Sequence, residues 1–211
     1  MTRNVPRNGG ACVTDVVFDV GRVLIDFTYD RLVKVLCRQG ARVRTVDAFL
    51  AAVDLVPYEH GEISNTQFLE KLNGLLEYPL PEDALIAAWN DLFAPIDEML
   101  DLARQIKKSC GVYLISNTSD LHWQHLLTAY RLADISHGQM ASFEVGVMKP
   151  HPRIFEIACE RFGLTPDRTV FIDDLKANVQ GAEACGWYGI HHRRADETRQ
   201  RLSALTGVPL T

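Results

Sequence analysis

The chain reads as an α/β protein: a three-layer sandwich of helices around a parallel five-stranded sheet, interrupted near its start by a helical insertion. Three observations carry that expectation. A short apolar run, Val16, Val17 and Phe18, delivers Asp19 just ahead of Gly21. Residues 28–94 carry helical periodicity and no clear strand. From Ile96 to the C-terminus, strand-like and helix-like segments alternate. Such alternation builds parallel βαβ units, and their right-handed crossovers place helices on both faces of the sheet.

In chain order, residues 1–12 are polar, contain Gly and Pro, and have no apolar core for a signal peptide or membrane anchor, so they read as a disordered leader. Residues 16–18 are a buried strand with Asp19 at its tip. Residues 29–38 and 46–56 read as amphipathic helices. Ser64 stands three residues before Gln67, a capping-box spacing, and Phe68, Leu69, Leu72, Leu75 and Leu76 then share one face. Pro81 suits the first turn of a helix running to Phe93. Beyond Ile96, the apolar stripe Met99, Leu100, Ala103 and Ile106 gives a helix that Gly111 terminates. The strand VYLIS follows, then a helix over 120–130 and a weaker strand, HGQMAS. Next come the helix Pro152–Phe162, stopped by Gly163, and the strand TVFID. A helix over 177–185, the strand WYGIHH and a helix over 196–205 complete the chain.

With 211 residues, 47% hydrophobic and 23% charged, the chain has enough apolar material for a core without disulfide or metal staples. A net charge of -5 and the lack of a long basic run argue against nucleic acid or an anionic membrane as the partner, leaving small molecules or proteins. The cysteines, Cys12, Cys37, Cys110, Cys159 and Cys185, form neither a CxxC pair nor a zinc-type cluster, which fits reduced thiols in a cytoplasmic protein.

Three of the predicted strands end in polar side chains, Asp19, Ser116 and Asp173. The C-terminal tips of parallel strands share one edge of the sheet, so residues far apart in sequence converge there.

Four segments occur in order: FDVGRVLID around Asp19, LISNTSD around Ser116, GVMKPHPRIF around Lys149, and VFIDDLKANVQGA around Asp173 and Asp174. Together they resemble the haloacid dehalogenase (HAD) superfamily of hydrolases, across nearly everything after residue 13. The resemblance implies a Rossmann-like core formed by 13–26 and 96–211, with a C1-type helical cap over 27–95. It implies a Mg²⁺-dependent phosphatase acting on a small phosphorylated substrate, in which Asp19 attacks phosphorus and becomes an aspartyl-phosphate. Mg²⁺ offsets the repulsion between that carboxylate and the phosphate. Its implied ligands are Asp19, the main-chain carbonyl of Gly21 and an acid of the fourth segment. Asp174 is preferred as the direct ligand, because the family's second polar residue four positions on falls at Asn178; Asp173 then orients that ligand or Lys149. Ser116, with Asn117 supplying an amide, would hold phosphate oxygens. Lys149 would balance charge on the nucleophile and the transferring group.

The departure is Gly21. Most phosphatases of this superfamily carry an aspartate there, which protonates the leaving group and then deprotonates water; such help contributes roughly 10²–10⁴ in rate. The chain looks most similar to a branch that includes α-D-glucose-1-phosphate phosphatase and has the same Asp-x-Gly form, which favours sugar phosphates. Asp26 is a candidate substitute for the acid. Two competing readings remain: a metal-independent 2-haloacid dehalogenase, and a non-catalytic protein that keeps the fold for binding. His122, His125, His191, His192 and His60 receive no catalytic role, and Arg22 reads as a solvated side chain.

Overall fold

The structure, a computed structural model, describes residues 12–211; of the expected leader, residues 1–11 lie outside the described part and only Cys12 falls within it. In chain order the elements are β1 (Asp15–Phe18), β2 (Ile25–Phe27), α1 (Asp30–Arg38), α2 (Val46–Val53), α3 (Val56–Glu59), α4 (Asn65–Asn73), α5 (Glu82–Asn90), β3 (Phe93–Pro95), α6 (Asp97–Ile106), β4 (Gly111–Ser116), α7 (Asp120–Ala129), β5 (Gly138–Ala141), α8 (Ser142–Val145), α9 (Pro152–Phe162), β6 (Thr169–Asp173), α10 (Lys176–Ala184), β7 (Tyr188–His191) and α11 (Ala195–Thr206).

Five strands form one sheet in the order β5-β4-β1-β6-β7. Every neighbouring pair in it is parallel. The two-residue period of β1 divides its side chains between two cores. Val16 and Phe18 pack with Met99, Leu102 and Ile106 of α6, Trp123 of α7 and Leu202 of α11. Val17 points the other way, toward Ile154 and Phe155 of α9, Ala182 of α10 and Trp187. Helices therefore cover both faces, and the three-layer α/β sandwich expected from the alternation is the fold observed.

A third core lies within the segment between β2 and β3. Leu32 and Leu36 of α1, Phe49 and Val53 of α2, Tyr58, Phe68 and Leu72 of α4, and Leu85 and Trp89 of α5 are all buried together. The capping box at Ser64 forms in full: Ser64 Oγ accepts from the Gln67 N–H, and the Gln67 side chain accepts from the Ser64 N–H. The helix expected over 46–56 instead splits in two. α2 stops at Val53, Asp54 takes a left-handed conformation with φ 48, and α3 begins at Val56 with Pro57 in its first turn. Pro57 lacks an N–H and disfavours helical backbone before it, so one helix cannot run through.

The expectation that 28–94 is helical throughout fails at its end. Phe93–Pro95 pairs antiparallel with Ile25–Phe27, and this ribbon joins the helical segment to the sheet body. Side chains lock the joint: His122 of α7 stacks on Trp89 with ring centroids 4.1 Å apart, and Asn65 Nδ2 donates to Asp120 Oδ2 at 2.7 Å. No helix among the described residues is long and apolar enough to cross a membrane.

Candidate active site

β1, β4 and β6 are adjacent, so Asp19, Ser116 and Asp173 stand on the same edge of the sheet, at the C-terminal strand ends where open α/β sheets place their sites. The Asp19 N–H continues the ladder by donating to the Ile172 carbonyl at 2.8 Å, which places the first carboxylate against the last residues of β6. Lys149 enters from the loop before α9. Its Nζ lies 2.8 Å from Asp19 Oδ1 and 2.7 Å from Asp173 Oδ2, and donates to the Ile115 carbonyl at 3.2 Å.

Asp173 is wholly buried and fully engaged. Besides Lys149, it accepts from the Leu175 N–H at 2.8 Å and from Asn178 Nδ2 at 3.0 Å on each oxygen. Asp174 is half-buried, and one of its oxygens lies within 4.8 Å of oxygens of Asp19 and Asp173.

Three carboxylates facing one ammonium give the site an acid-rich balance. Burial pushes the Asp19 carboxyl above its ordinary range; Lys149 pulls it down, and Asp173 adds to the rise. Burial works against the charge on Lys149, but Asp19 and Asp173 outweigh it and hold the ammonium above its usual value. Asp174 is raised by burial and then by Asp173, against the pull of Lys149. A cation beside Asp19 and Asp174 would relieve this excess, and the donors on hand are all oxygens, the hard ligands that Mg²⁺ takes. The turn after β1 fits the same need. Val20 O accepts from the Leu24 and Ile25 N–H groups and Ile25 O accepts from the Arg22 N–H, so the Gly21 carbonyl takes no part in the turn's hydrogen bonds.

Ser116 is buried at the tip of β4. Asn117 has a structural task beside the one expected for it. Its Nδ2 donates to the Lys149 carbonyl at 2.9 Å and its Oδ1 accepts from the Lys149 N–H at 2.8 Å, so both ends of the amide hold the backbone of Lys149. The amide oxygen and one of its two N–H donors are thus spent on positioning the lysine.

Gly21 is crowded by Phe27, since a Cβ there would stand 3.1 Å from Phe27 Cε1. Arg22, with φ 58, lies over the Phe27 ring at 4.5 Å and pairs with Asp26. Asp26 also accepts from the Phe27 N–H at 2.9 Å and is exposed, so it does not reach back to the nucleophile as a replacement acid. His122 is buried and neutral: burial lowers its pKa to about 3, and its Nε2 lies 3.0 Å from the Trp89 carbonyl. It packs between the helical segment and the sheet body.

Two site neighbours escaped sequence reasoning. Glu59, at the end of α3, is half-buried and feels the charge of Lys149; burial raises it to about 7 despite that attraction. Tyr29, ahead of α1, is raised by burial and by Glu59, with Arg22 opposing. Nothing in the local sequence separates Glu59 from the exposed Glu62, because only the docking of α3 against the sheet body decides which acid faces inward.

An edge of strand ends that gathers a buried carboxylate, its lysine partner and a metal-suited acid cluster is where an α/β hydrolase places its chemistry. Residues 16–186 match the haloacid dehalogenase-like hydrolases, and the chain belongs to that family. It is 26% identical to the D-ribitol-5-phosphate phosphatase of Bacteroides thetaiotaomicron over 203 residues, 92% of this chain and 98% of that protein. It is 27% identical to the (S)-2-haloacid dehalogenase 4A of Burkholderia cepacia over 129 residues, 61% of this chain and 53% of that protein. Among solved structures, a HAD family enzyme of Bacteroides thetaiotaomicron in complex with magnesium and inorganic phosphate superposes with a TM-score of 0.77 at 27% identity, covering 86% of this chain and 94% of that one.

Proposed function

We propose that this hydrolase is a Mg²⁺-dependent phosphatase of small phosphorylated metabolites, with sugar and sugar-alcohol phosphates favoured, working through an aspartyl-phosphate on Asp19. The observation that carries this reading is the Lys149 ammonium shared between Asp19 and Asp173, beside the half-buried Asp174. Asp19 Oδ1 is held by the Val20 N–H at 2.6 Å and by Lys149, which leaves Oδ2 as the attacking atom. Lys149 keeps Asp19 ionised for attack and neutralises charge on the transferring group. Ser116, at the β4 tip, receives the phosphate oxygens.

Asp19, Asp174 and the Gly21 carbonyl would hold Mg²⁺, which supplies Lewis-acid charge stabilisation at the phosphoryl oxygens. Asp173, already saturated by Lys149, Asn178 and Leu175, orients the lysine rather than ligating. The helical segment 27–95 serves as a cap over the strand ends, excluding water and shaping the pocket for the alcohol part of the substrate. The D-ribitol-5-phosphate phosphatase relative, alignable over almost its whole length, supports a polyol or sugar phosphate.

The haloacid dehalogenase reading is less favoured. It covers 53% of the relative's length, and attack on carbon gives the Asp174 carboxylate beside the nucleophile no task. The deciding experiment is a phosphate-release screen over a metabolite panel with and without Mg²⁺, with Asp19→Asn as control. Mg²⁺-dependent release that Asp19→Asn abolishes supports the reading; release that persists in Asp19→Asn rules it out.

A further inference from the structure

We propose that Glu59 is the proton donor and acceptor of the reaction, supplied by the helical segment in place of the side chain that Gly21 lacks. The inference rests on the phosphatase reading above. It starts from a deficit: an ester oxygen leaving as an alkoxide requires a proton, and no side chain is present two residues after Asp19 to give one. The space there is also tight, with Phe27 Cε1 3.1 Å from where a Cβ would stand. Asp26 is bound to Arg22 and turned to solvent. An acid has to arrive from the opposite wall.

Glu59 closes α3 in the helical segment, and its backbone is held against the loop that follows β4. Its carbonyl accepts from Ser142 Oγ at 2.6 Å, and the same Oγ accepts from the Thr118 N–H at 3.0 Å, two residues beyond Ser116. Gly61 fixes the other end, since its Cα lies against the Phe143 carbonyl with no room for a Cβ. The end of α3 is thus pinned to the loop that follows β4.

The Glu59 carboxyl itself has no hydrogen bond or ion pair among the described residues, and the charge acting on it is that of Lys149, the ammonium that also holds Asp19. Other acids around α3 are engaged: Asp120 by Asn65 and Gln124, Glu62 by His60, and Glu144 by Arg161. With its proton held up to about pH 7, the group can both give and take one near neutrality.

The steps balance. Asp19 Oδ2 forms a bond to phosphorus as the ester P–O bond breaks, and the departing oxygen takes the proton from the Glu59 carboxyl, giving a free alcohol and a Glu59 carboxylate. Water then attacks the aspartyl-phosphate, passing its proton to Glu59 as the Asp19–P bond breaks. Inorganic phosphate leaves, with Asp19 ionised and Glu59 protonated again.

The test compares two leaving groups in Glu59→Gln, with Mg²⁺ present and folding checked by circular dichroism. p-Nitrophenolate leaves without a proton, whereas the alcohol of D-ribitol-5-phosphate does not. In the first turnover, Glu59→Gln should lose about 10²–10⁴ in rate with D-ribitol-5-phosphate and at least about tenfold less than that with p-nitrophenyl phosphate. The alkaline limb of the wild-type pH profile should disappear with it. An equal loss with both esters, or a rise in KM with kcat unchanged, overturns the proposal and makes Glu59 a structural or substrate-binding residue. If Glu59→Gln does not fold, the same comparison in Glu59→Asp decides. Wild-type protein that releases phosphate from neither ester overturns the phosphatase reading, and this inference with it.

Discussion

Lys149 Nζ lies 2.8 Å from Asp19 Oδ1, at the centre of a site where the ammonium is 1% exposed and bridges a second buried carboxylate, Asp173. Breaking a buried ion pair from one side leaves its partner charged and unsolvated, typically at a cost of 3–5 kcal/mol. Lys149→Met should therefore lower unfolding free energy by about 3–5 kcal/mol in urea titrations without metal, and abolish turnover. In the double variant Lys149→Met/Asp173→Asn, part of the stability should return while activity does not, because one of the two buried carboxylates left unpaired is gone but Asp19 still lacks its counter-charge.

Asp173 and Asp174 should separate cleanly by metal titration. A ligand that binds only the folded state stabilises it by about 2.7 kcal/mol at a hundred times its dissociation constant. Saturating Mg²⁺ should thus raise the Tm of the wild-type protein. Asp174→Asn should abolish that rise with little change in metal-free Tm. Asp173→Asn should lower the metal-free Tm, since Asp173 accepts from Lys149, Asn178 and the Leu175 N–H. The opposite pattern would exchange their roles.

Installing the missing acid should be obstructed by packing. Gly21→Asp presses a Cβ against Phe27, and overpacking of this kind costs about 1–3 kcal/mol. Chemical denaturation should show that loss. Phe27→Ala in the same chain should relieve the contact but cost packing of its own against Phe93 and Tyr29, so the double variant should recover only part.

Stability should change with pH through two buried groups of opposite sign. Glu59 keeps its proton to about pH 7 when folded but loses it near pH 4.5 when unfolded. Its contribution is full below about 4.5 and is lost as pH rises toward 7. His122 is lowered to about 3 from 6.5, so its contribution is present above 6.5 and is lost as pH falls toward 3. In metal-free protein, Glu59→Gln should therefore remove stability lost on going from pH 5 to 7, making the Tm rise more, or fall less, over that interval. A Tm profile identical to wild type would show that Glu59 titrates normally.

Much of the site was legible because strand ends are legible. Apolar runs that stop at Asp19, Ser116 and Asp173 place three polar groups on one sheet edge, and the edge assembles as the parallel topology requires. The amide of Asn117 was not legible in the same way. A polar residue after a strand suits phosphate equally well, and only the approach of Lys149 shows where both of its ends bind. The ribbon of Phe93–Pro95 with Ile25–Phe27 escaped for a related reason, as three residues carry too little periodicity to reveal a strand whose partner lies far back in the chain.

By itself, the sequence determined the layered α/β body, the helical segment with its own apolar core, and the order in which the candidate nucleophile, serine, lysine and acid pair appear. These follow from local periodicity and from strand-tip topology, both written along the chain. Only the tertiary structure decided that Asp173 is saturated while Asp174 remains open, that Phe27 crowds the space beside Gly21, and that Glu59 rather than Glu62 is drawn in from solvent where α3 docks. Those outcomes depend on which surfaces dock, and burial, charge and free volume at a site are set by residues distant in sequence.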